Sequence, residues 1–134
     1  MNAAPATVLV IESQPMMREA LCFIITQAAD LNAVMQAGSV REALQMLEKS
    51  IPDIVLLTVD RVDDGEMNAL AALHKWFPAT PILALTSNEV PGQEQAALAN
   101  GAQLVLTKAA PHKELIQALQ TLRPQPTQIE NRSK

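Results

Sequence analysis

The chain has 134 residues, 49% of them apolar and 18% charged, which is enough for one folded domain and excludes global disorder. A net charge of −4 and an aromatic content of 2% argue against direct nucleic-acid binding through a basic face or base-stacking platforms. No apolar run approaches the roughly 20 residues of a membrane span, and the lone Cys22 excludes an internal disulfide and favours a reducing, cytoplasmic location.

Five short apolar runs predict strands, and each is followed by an amphipathic stretch that predicts a helix. In chain order, the strands are expected at residues 7–11, 32–36, 53–58, 82–85 and 104–106. The helices are expected at about residues 15–30, 39–50, 66–77, 91–100 and 111–122. Five consecutive βα units predict a three-layer, doubly wound α/β domain with a parallel sheet of strand order 2-1-3-4-5, the flavodoxin-like arrangement.

Local signals mark the helix ends. Pro15 suits a first helical turn, with Ser13 or Gln14 before it as a cap, and Ser39 with Glu42 forms a capping-box pattern. The side chains expected to face the sheet from the first helix are Met17, Leu21, Ile24 and Ala28. We expect the folded domain to occupy residues 1–122, and residues 123–134, which are polar and contain two prolines, to form a flexible tail or linker.

Polar side chains follow the strands of the predicted sheet. Glu12 and Ser13 follow strand one, Thr58 ends strand three, Thr86 follows strand four and Lys108 follows strand five. Because ligands of open α/β sheets collect at the carboxyl ends of the strands, we expect these five residues to surround one pocket.

The chain resembles a receiver domain of a two-component response regulator over roughly residues 7–122. Four segments carry the resemblance, in the expected order and at the expected intervals: VLVIESQPMMREAL, PDIVLLTV, PILALTS and GAQLVLTKAAPHKEL. The QPMMREAL stretch is most similar to receivers attached to LuxR-type helix-turn-helix output domains. In that family, two acids after strand one and a phospho-accepting aspartate after strand three hold Mg²⁺. A Ser or Thr and an aromatic residue change position when the domain is phosphorylated, and a lysine contacts the phosphoryl group.

The resemblance places this chain's residues on those positions only in part. Glu12 stands at the first acid, Ser13 at the second, and Thr58 at the phospho-acceptor. Thr86 and Lys108 match the switch hydroxyl and the phosphate-contacting lysine, while Val105 stands at the switch aromatic. Mg²⁺ prefers carboxylate ligands, and a threonine cannot form an acyl phosphate and is a poor nucleophile without a neighbouring base.

We therefore expect a pseudo-receiver: a phosphorylation-independent signalling module, not an enzyme, with weak or absent Mg²⁺ binding and no other cofactor. It would act through protein partners, as a homodimer or by controlling an output domain beyond the tail, and would bind no membrane. Two alternatives stay open. One is an active phospho-receiver with an unconventional acceptor, Thr58 or Asp60. The other is a sensor of a small anion or nucleotide that uses the altered pocket.

Several side chains have plainer expected roles. Lys108 is expected to pair with Glu12 or, less simply, to bind an anion. The acidic loop with Asp60, Asp63 and Asp64 is expected to be solvated.

Cys22 and Phe23 lie beside the inward stripe of the first helix, so they mark a candidate dimer surface formed by the first and last helices. The two histidines, His74 and His112, are expected on helix surfaces without a catalytic or metal-binding role.

Overall fold

The computed structural model describes residues 4–60, 64–87 and 91–124, with only the backbone described at positions 34 and 64. Strands and helices alternate strictly along the chain. The strands are β1 Ala6–Ile11, β2 Leu31–Ala37, β3 Ile54–Val59, β4 Ile82–Thr86 and β5 Leu104–Thr107. The helices are α1 Pro15–Thr26, α2 Val40–Leu47, α3 Asp64–Trp76, α4 Gln93–Ala99 and α5 His112–Leu122.

All five strands form one parallel sheet in the order β2-β1-β3-β4-β5, as the sequence predicted. Apolar side chains on the two faces of this sheet form separate cores. One core contains buried residues of α2, α3 and α4, among them Leu47, Leu70 and Ala97. The other contains Leu21 and Ile25 of α1 with Leu115 and Leu119 of α5. The domain therefore has three layers, with the sheet buried between the two groups of helices.

The first helix differs from its predicted length and orientation. It ends at Thr26, four residues earlier than expected, where the amides of Gln27 and Ala28 each donate three residues back, to the Ile24 and Ile25 carbonyls, and so tighten the last turn. Met17, expected to face the sheet, is 39% exposed, whereas Ile25 is fully buried. The inward stripe thus runs through Leu21 and Ile25, which lie one helical turn apart.

The amino-terminal edge of the sheet is held by a reciprocal contact between β1 and the start of β3. The Asp53 carboxylate accepts from the Thr7 amide at 2.9 Å, and the Asp53 amide donates to the Thr7 hydroxyl at 3.0 Å. This contact explains why an aspartate is accommodated at the entry to a strand that is otherwise buried, since each partner satisfies a backbone donor of the other.

The later elements lie close to their predicted positions. β3 extends to Val59, one residue beyond Thr58. Helix α2 begins after Ser39, whose hydroxyl accepts from the Glu42 amide, but it ends at Leu47 and not near residue 50. Arg123, expected in the tail, lies with one guanidinium nitrogen 3.9 Å from the Asp30 carboxylate. The rest of the predicted tail, from residue 125 onward, lies outside the described residues.

Candidate functional site

The carboxyl edge of the sheet brings the predicted polar residues to one end of the domain. Glu12 directly follows β1, Thr58 is the penultimate residue of β3, Thr86 ends β4 and Lys108 directly follows β5. Because all strands are parallel, their ends meet at the same edge. The sequence therefore placed these residues correctly along the strands, and the side-chain contacts determine how they are used.

The Glu12 side chain forms a hydrogen bond at the start of α1. Its side chain is 2% exposed, and its Oε2 accepts from the Gln14 amide at 2.8 Å. The α1 cap residue, Gln14, contributes no side-chain cap of its own, so the glutamate performs the capping role expected of Ser13 or Gln14. Glu12 Oε1 is buried and has no hydrogen-bond partner among the described residues. The Glu12 carbonyl accepts from the Arg18 guanidinium at 2.7 Å, which further fixes this turn.

Thr58 lies half-buried near the end of the central strand. Its hydroxyl donates to the main-chain carbonyl of Ile11, on the neighbouring strand β1, at 3.3 Å. A main-chain carbonyl accepts a hydrogen bond but is not a general base, so this contact does not activate the hydroxyl as a nucleophile.

Lys108 does not pair with Glu12, and that expectation is wrong. Its Nζ lies 2.5 Å from Oδ1 of Asp60, in the loop after β3. Its backbone amide donates to the Thr86 carbonyl at 2.8 Å, which extends the β4–β5 pairing by one residue and directs the lysine across the sheet edge. The two side chains of the ion pair are 27% and 51% exposed, so the pair is partly solvated.

Asp60 and Gln93 are residues of this edge whose contacts were not predicted. The Asp60 amide donates to Glu66 Oε1 at 3.0 Å, and its carbonyl accepts from Gln93 Nε2 at 3.1 Å. Asp60 was expected to belong to a solvated acidic loop; Asp63 and the side chain of Asp64, from the same prediction, lie outside the described residues. The Asp60 contact could have been predicted, because Asp60 carries a charge opposite to that of Lys108 at the same sheet edge. The burial of Gln93 could not, because nothing in the local sequence pattern indicates it.

The described residues of the predicted pocket do not line one common cavity, and Thr58 is shared by two different ones. One, of about 330 Å³, lies toward α2 and α3, and among its lining residues are Glu12, Ser13, Thr58 and Asp60. The other, of about 410 Å³, lies between α1 and α5 and is lined by Thr58, Lys108 and mainly apolar side chains. Thr86 lines neither of them. The acidic and basic residues of the predicted pocket therefore face different spaces.

The two residues at the positions of the family's switch differ in burial. Thr86 is 2% exposed at the end of β4. Val105 is half-buried on β5, where it packs against the core formed with α2, α3 and α4. His74 and His112 are exposed, as expected. Within residues 4–60, 64–87 and 91–124, no group of three or more His, Cys, Asp or Glu side chains is arranged to hold a metal ion.

The exposed surface of α1 carries large apolar side chains. Phe23 is 67% exposed and Met16 is 85% exposed. Cys22 is half-buried against the core shared by α1 and α5, and this burial raises the pKa of its thiol, an effect that the charge of Arg18 partly opposes. In the part of the chain that the structure describes, no helix has the length and apolar character needed to cross a membrane.

This order of strands, with Glu12, Thr86 and Lys108 at the strand ends, matches that of a receiver domain. The response regulator receiver domain family matches residues 8–120, and the chain belongs to this family. It is 26% identical over 118 residues to the nitrate/nitrite response regulator protein NarL of Escherichia coli, a match that covers 88% of this chain and 55% of that protein. It is 29% identical over 112 residues to the response regulator GacA of Pseudomonas viridiflava, covering 84% and 52%. The chain thus spans about half the length of these curated relatives.

Solved structures show the same fold. The chemotaxis response regulator CheY4 of Vibrio cholerae superposes with a TM-score of 0.73 at 27% identity, covering 89% of this chain and 99% of that one. The signal receiver domain of the putative response regulator NarL from Mycobacterium tuberculosis gives a TM-score of 0.76 at 24% identity, with 89% and 96% covered. Nearly the whole of each of these two chains is matched, so the shared fold extends over the described domain.

Proposed function

We propose that this receiver domain works without phosphorylation, as a regulatory module of a response regulator that acts through protein contacts. The observation that carries the proposal is Thr58. A hydroxyl stands where the resemblance expects the acceptor carboxylate, and it donates to the Ile11 carbonyl. The family membership itself supports a signalling role and not an enzymatic one.

The chemistry of phosphoryl transfer is poorly supported at this position. An acyl phosphate requires a carboxylate, which Thr58 lacks. A phosphate ester on the hydroxyl would require a base to remove its proton, and the hydroxyl's hydrogen-bond acceptor is a main-chain carbonyl. Asp60, the other candidate acceptor, stands two residues beyond the acceptor position and is paired through Oδ1 with Lys108, a contact that does not by itself prevent attack by the carboxylate. The hydroxyl at Thr58 therefore favours the pseudo-receiver over an active phospho-receiver, and Asp60 is the acceptor that the mass measurement has to test.

The oxygen ligands for Mg²⁺ also fit poorly. Of the acids at this cavity, Glu12 has one oxygen bonded to the Gln14 amide, Asp60 is paired with Lys108, and Glu66 accepts from the Asp60 amide. Ser13 and Thr58 supply only neutral hydroxyls. Mg²⁺ needs an octahedral set of oxygens and is usually bound by carboxylates together with waters. We therefore propose that the domain binds Mg²⁺ weakly or not at all and requires no other cofactor.

The cavities also weigh against a sensor of small anions or nucleotides. The more polar cavity is bordered by three acids, Glu12, Asp60 and Glu66, and by one base, Arg41, so its net charge repels an anion. Lys108, the cation expected to hold the anion, lines the other cavity and is paired with Asp60. Neither cavity therefore combines the lysine with the three hydroxyls that this alternative requires.

The proposed partners are proteins. Exposed Phe23 beside Cys22 on α1 supports a homodimer through α1 and α5, and the LuxR-like QPMMREAL segment supports an output domain beyond a linker at residues 123–134. The net charge of −4 supports regulation of such an output domain over direct nucleic-acid binding, and the single cysteine supports a cytoplasmic location.

The experiment that tests the proposal is the intact mass of the chain after incubation with acetyl phosphate and Mg²⁺. We expect no change in mass, while a phosphorylatable receiver treated in parallel gains one phosphoryl group. A gain on this chain would overturn the proposal, and peptide mapping of the same sample would distinguish Thr58 from Asp60 as the acceptor.

A further inference from the structure

Asp60 contacts three different elements with its three polar groups. Its amide donates to Glu66 of α3 at 3.0 Å, its carbonyl accepts from Gln93 of α4 at 3.1 Å, and its carboxylate accepts from Lys108 after β5 at 2.5 Å. Hydrogen bonds from both the main chain and the side chain of one residue restrain the position of that residue relative to each of its partners. Asp60 therefore connects the segments that follow β3, β4 and β5.

Gln93 joins the β4–α4 connection to this contact set. It is the first residue of α4 and is 2% exposed, which is unusual for a glutamine. Ser87, just after β4, has its hydroxyl oxygen 3.2 Å from Nε2 and 3.3 Å from Oε1 of the Gln93 side chain. The same Nε2 reaches the Asp60 carbonyl. A buried amide with partners on both sides fixes the spacing between the two connections.

We infer that Asp60, Glu66, Gln93 and Lys108 form a clamp that holds the end of β3, the starts of α3 and α4, and the segment after β5 in one arrangement with no phosphoryl group present. We refer to these four residues as the Asp60 clamp. The inference rests on the proposed function, because it supplies the means by which a phosphorylation-independent receiver would keep a fixed surface for its partners. Asp60 acts in it as a positioning residue.

The contacts of the clamp differ in strength. The ion pair between Lys108 and Asp60 is partly solvated, at 27% and 51% exposure, so water screens it and its contribution is small. Gln93 is buried, and its hydrogen bond to the Asp60 carbonyl is partly buried, whereas the ion pair is exposed, so water competes less with the Gln93 contact. The Gln93 contact therefore contributes more to the clamp than the ion pair does.

Amide hydrogen exchange on the full chain, followed by NMR, measures how often the clamp opens. The amides of Asp60, Lys108 and Ala96 report on the loop after β3, the segment after β5 and the first turn of α4. We expect Gln93→Met, which keeps the side-chain length and removes the amide, to accelerate their exchange about five- to thirty-fold. We expect Lys108→Gln to accelerate exchange at Asp60 about two- to five-fold, an effect that about 1 M salt reproduces in the unmodified chain.

The matched control removes a glutamine contact elsewhere. Gln120 Nε2 donates to the Asp30 carboxylate at 3.1 Å, away from the carboxyl edge, so Gln120→Met should leave the three reporter amides unchanged. The amides of Thr7 and Asp53, at the opposite edge of the sheet, should keep their protection in all variants. Loss of protection at the Thr7 and Asp53 amides would show that Gln93→Met unfolds globally. The clamp is then tested by Lys108→Gln and by the salt series alone.

Unchanged exchange at Asp60 in both variants, with the opposite edge still protected, would overturn the clamp. Equal acceleration by Gln120→Met would overturn it as well, because the effect would then not be specific to these contacts. Phosphoryl uptake from acetyl phosphate is a separate readout. A gain in mass defeats the proposed function whatever the exchange rates, and unchanged exchange with unchanged mass defeats only the clamp.

Discussion

The ammonium of Lys108 lies 2.5 Å from the carboxylate of Asp60, two residues beyond Thr58. Glu12, the expected partner of the lysine, instead binds the Gln14 amide at the start of α1. Glu12 and Asp60 therefore serve different elements: Glu12 caps a helix and Asp60 pairs with the cation. This division leaves Thr58 between them with a hydroxyl bound to a main-chain carbonyl.

Restoring carboxylates at two positions should restore phosphoryl uptake. In the double variant Ser13→Asp/Thr58→Asp, an acceptor carboxylate and a second acid next to Glu12 would supply the charge that Mg²⁺ prefers. We expect the intact mass to rise by one phosphoryl group after treatment with acetyl phosphate and Mg²⁺. The amide variant Ser13→Asn/Thr58→Asn is the control and should stay unmodified. A double aspartate variant that takes up no phosphate would show that more than these two positions blocks the chemistry.

A charge on the exposed face of α1 should prevent the proposed dimer. Phe23 is 67% exposed, and burying an aspartate in its place within an apolar interface is unfavourable. We expect light scattering at high protein concentration to give a dimeric mass for the unmodified chain and a monomeric mass for Phe23→Asp. Trp76→Asp, at a side chain 66% exposed at the end of α3, should remain dimeric. A monomeric mass for the unmodified chain would refute the dimer itself.

The thiol of Cys22 should react slowly in the folded domain. Burial raises its pKa from the ordinary value of 9.0, so less of the reactive thiolate is present near pH 8 than in the unfolded chain. We expect alkylation, followed by mass spectrometry, to be slower in buffer than in denaturing urea. Cys22 is the only cysteine of the 134 residues, so the signal is unambiguous. Equal rates in the two conditions would contradict the burial effect.

The same pKa shift predicts a change of stability with pH. As the pH rises, the Cys22 thiol of the unfolded chain ionises from about pH 9, before that of the folded chain. The contribution of Cys22 to the free energy of unfolding is therefore complete below that pH and is lost as the pH rises through the higher folded pKa. We expect the free energy of unfolding, measured with urea, to fall more steeply above pH 9 in the unmodified chain than in Cys22→Ala. Parallel curves for the two proteins would contradict it.

The two glycines with positive φ should respond differently to alanine. Gly92 has a φ of 88°, and no atom of the residues that the structure describes lies within 4 Å of the position that a Cβ would take, so we expect Gly92→Ala to cost only the backbone strain, about 1–2 kcal/mol. Gly101, with φ of 123°, would place a Cβ 2.5 Å from the Cβ of His74. Gly101→Ala should therefore reduce the free energy of unfolding by at least about 1 kcal/mol more than Gly92→Ala. Urea titration of both variants makes the comparison, and equal losses would contradict the close contact.

The sequence by itself determined the number and order of the strands and the edge at which the polar residues meet. Apolar runs without polar alternation are typical of strands buried on both faces, and right-handed crossovers leave few topologies for five βα units. Glu12, Thr58, Thr86 and Lys108 follow or end these runs, so their placement at the carboxyl edge follows directly from the pattern.

Only the tertiary structure decided which of those side chains interact. The pairing of Lys108 depends on where Asp60, the residue directly after β3, directs its side chain, and no periodic signal in the sequence specifies this. The burial of Gln93 and the exposure of Met17 depend on how α4 and α1 are rotated against the sheet. A hydrophobic pattern fixes which face of an element is buried only to within about one residue position, whereas hydrogen bonds and ion pairs depend on distances of a few tenths of an ångström.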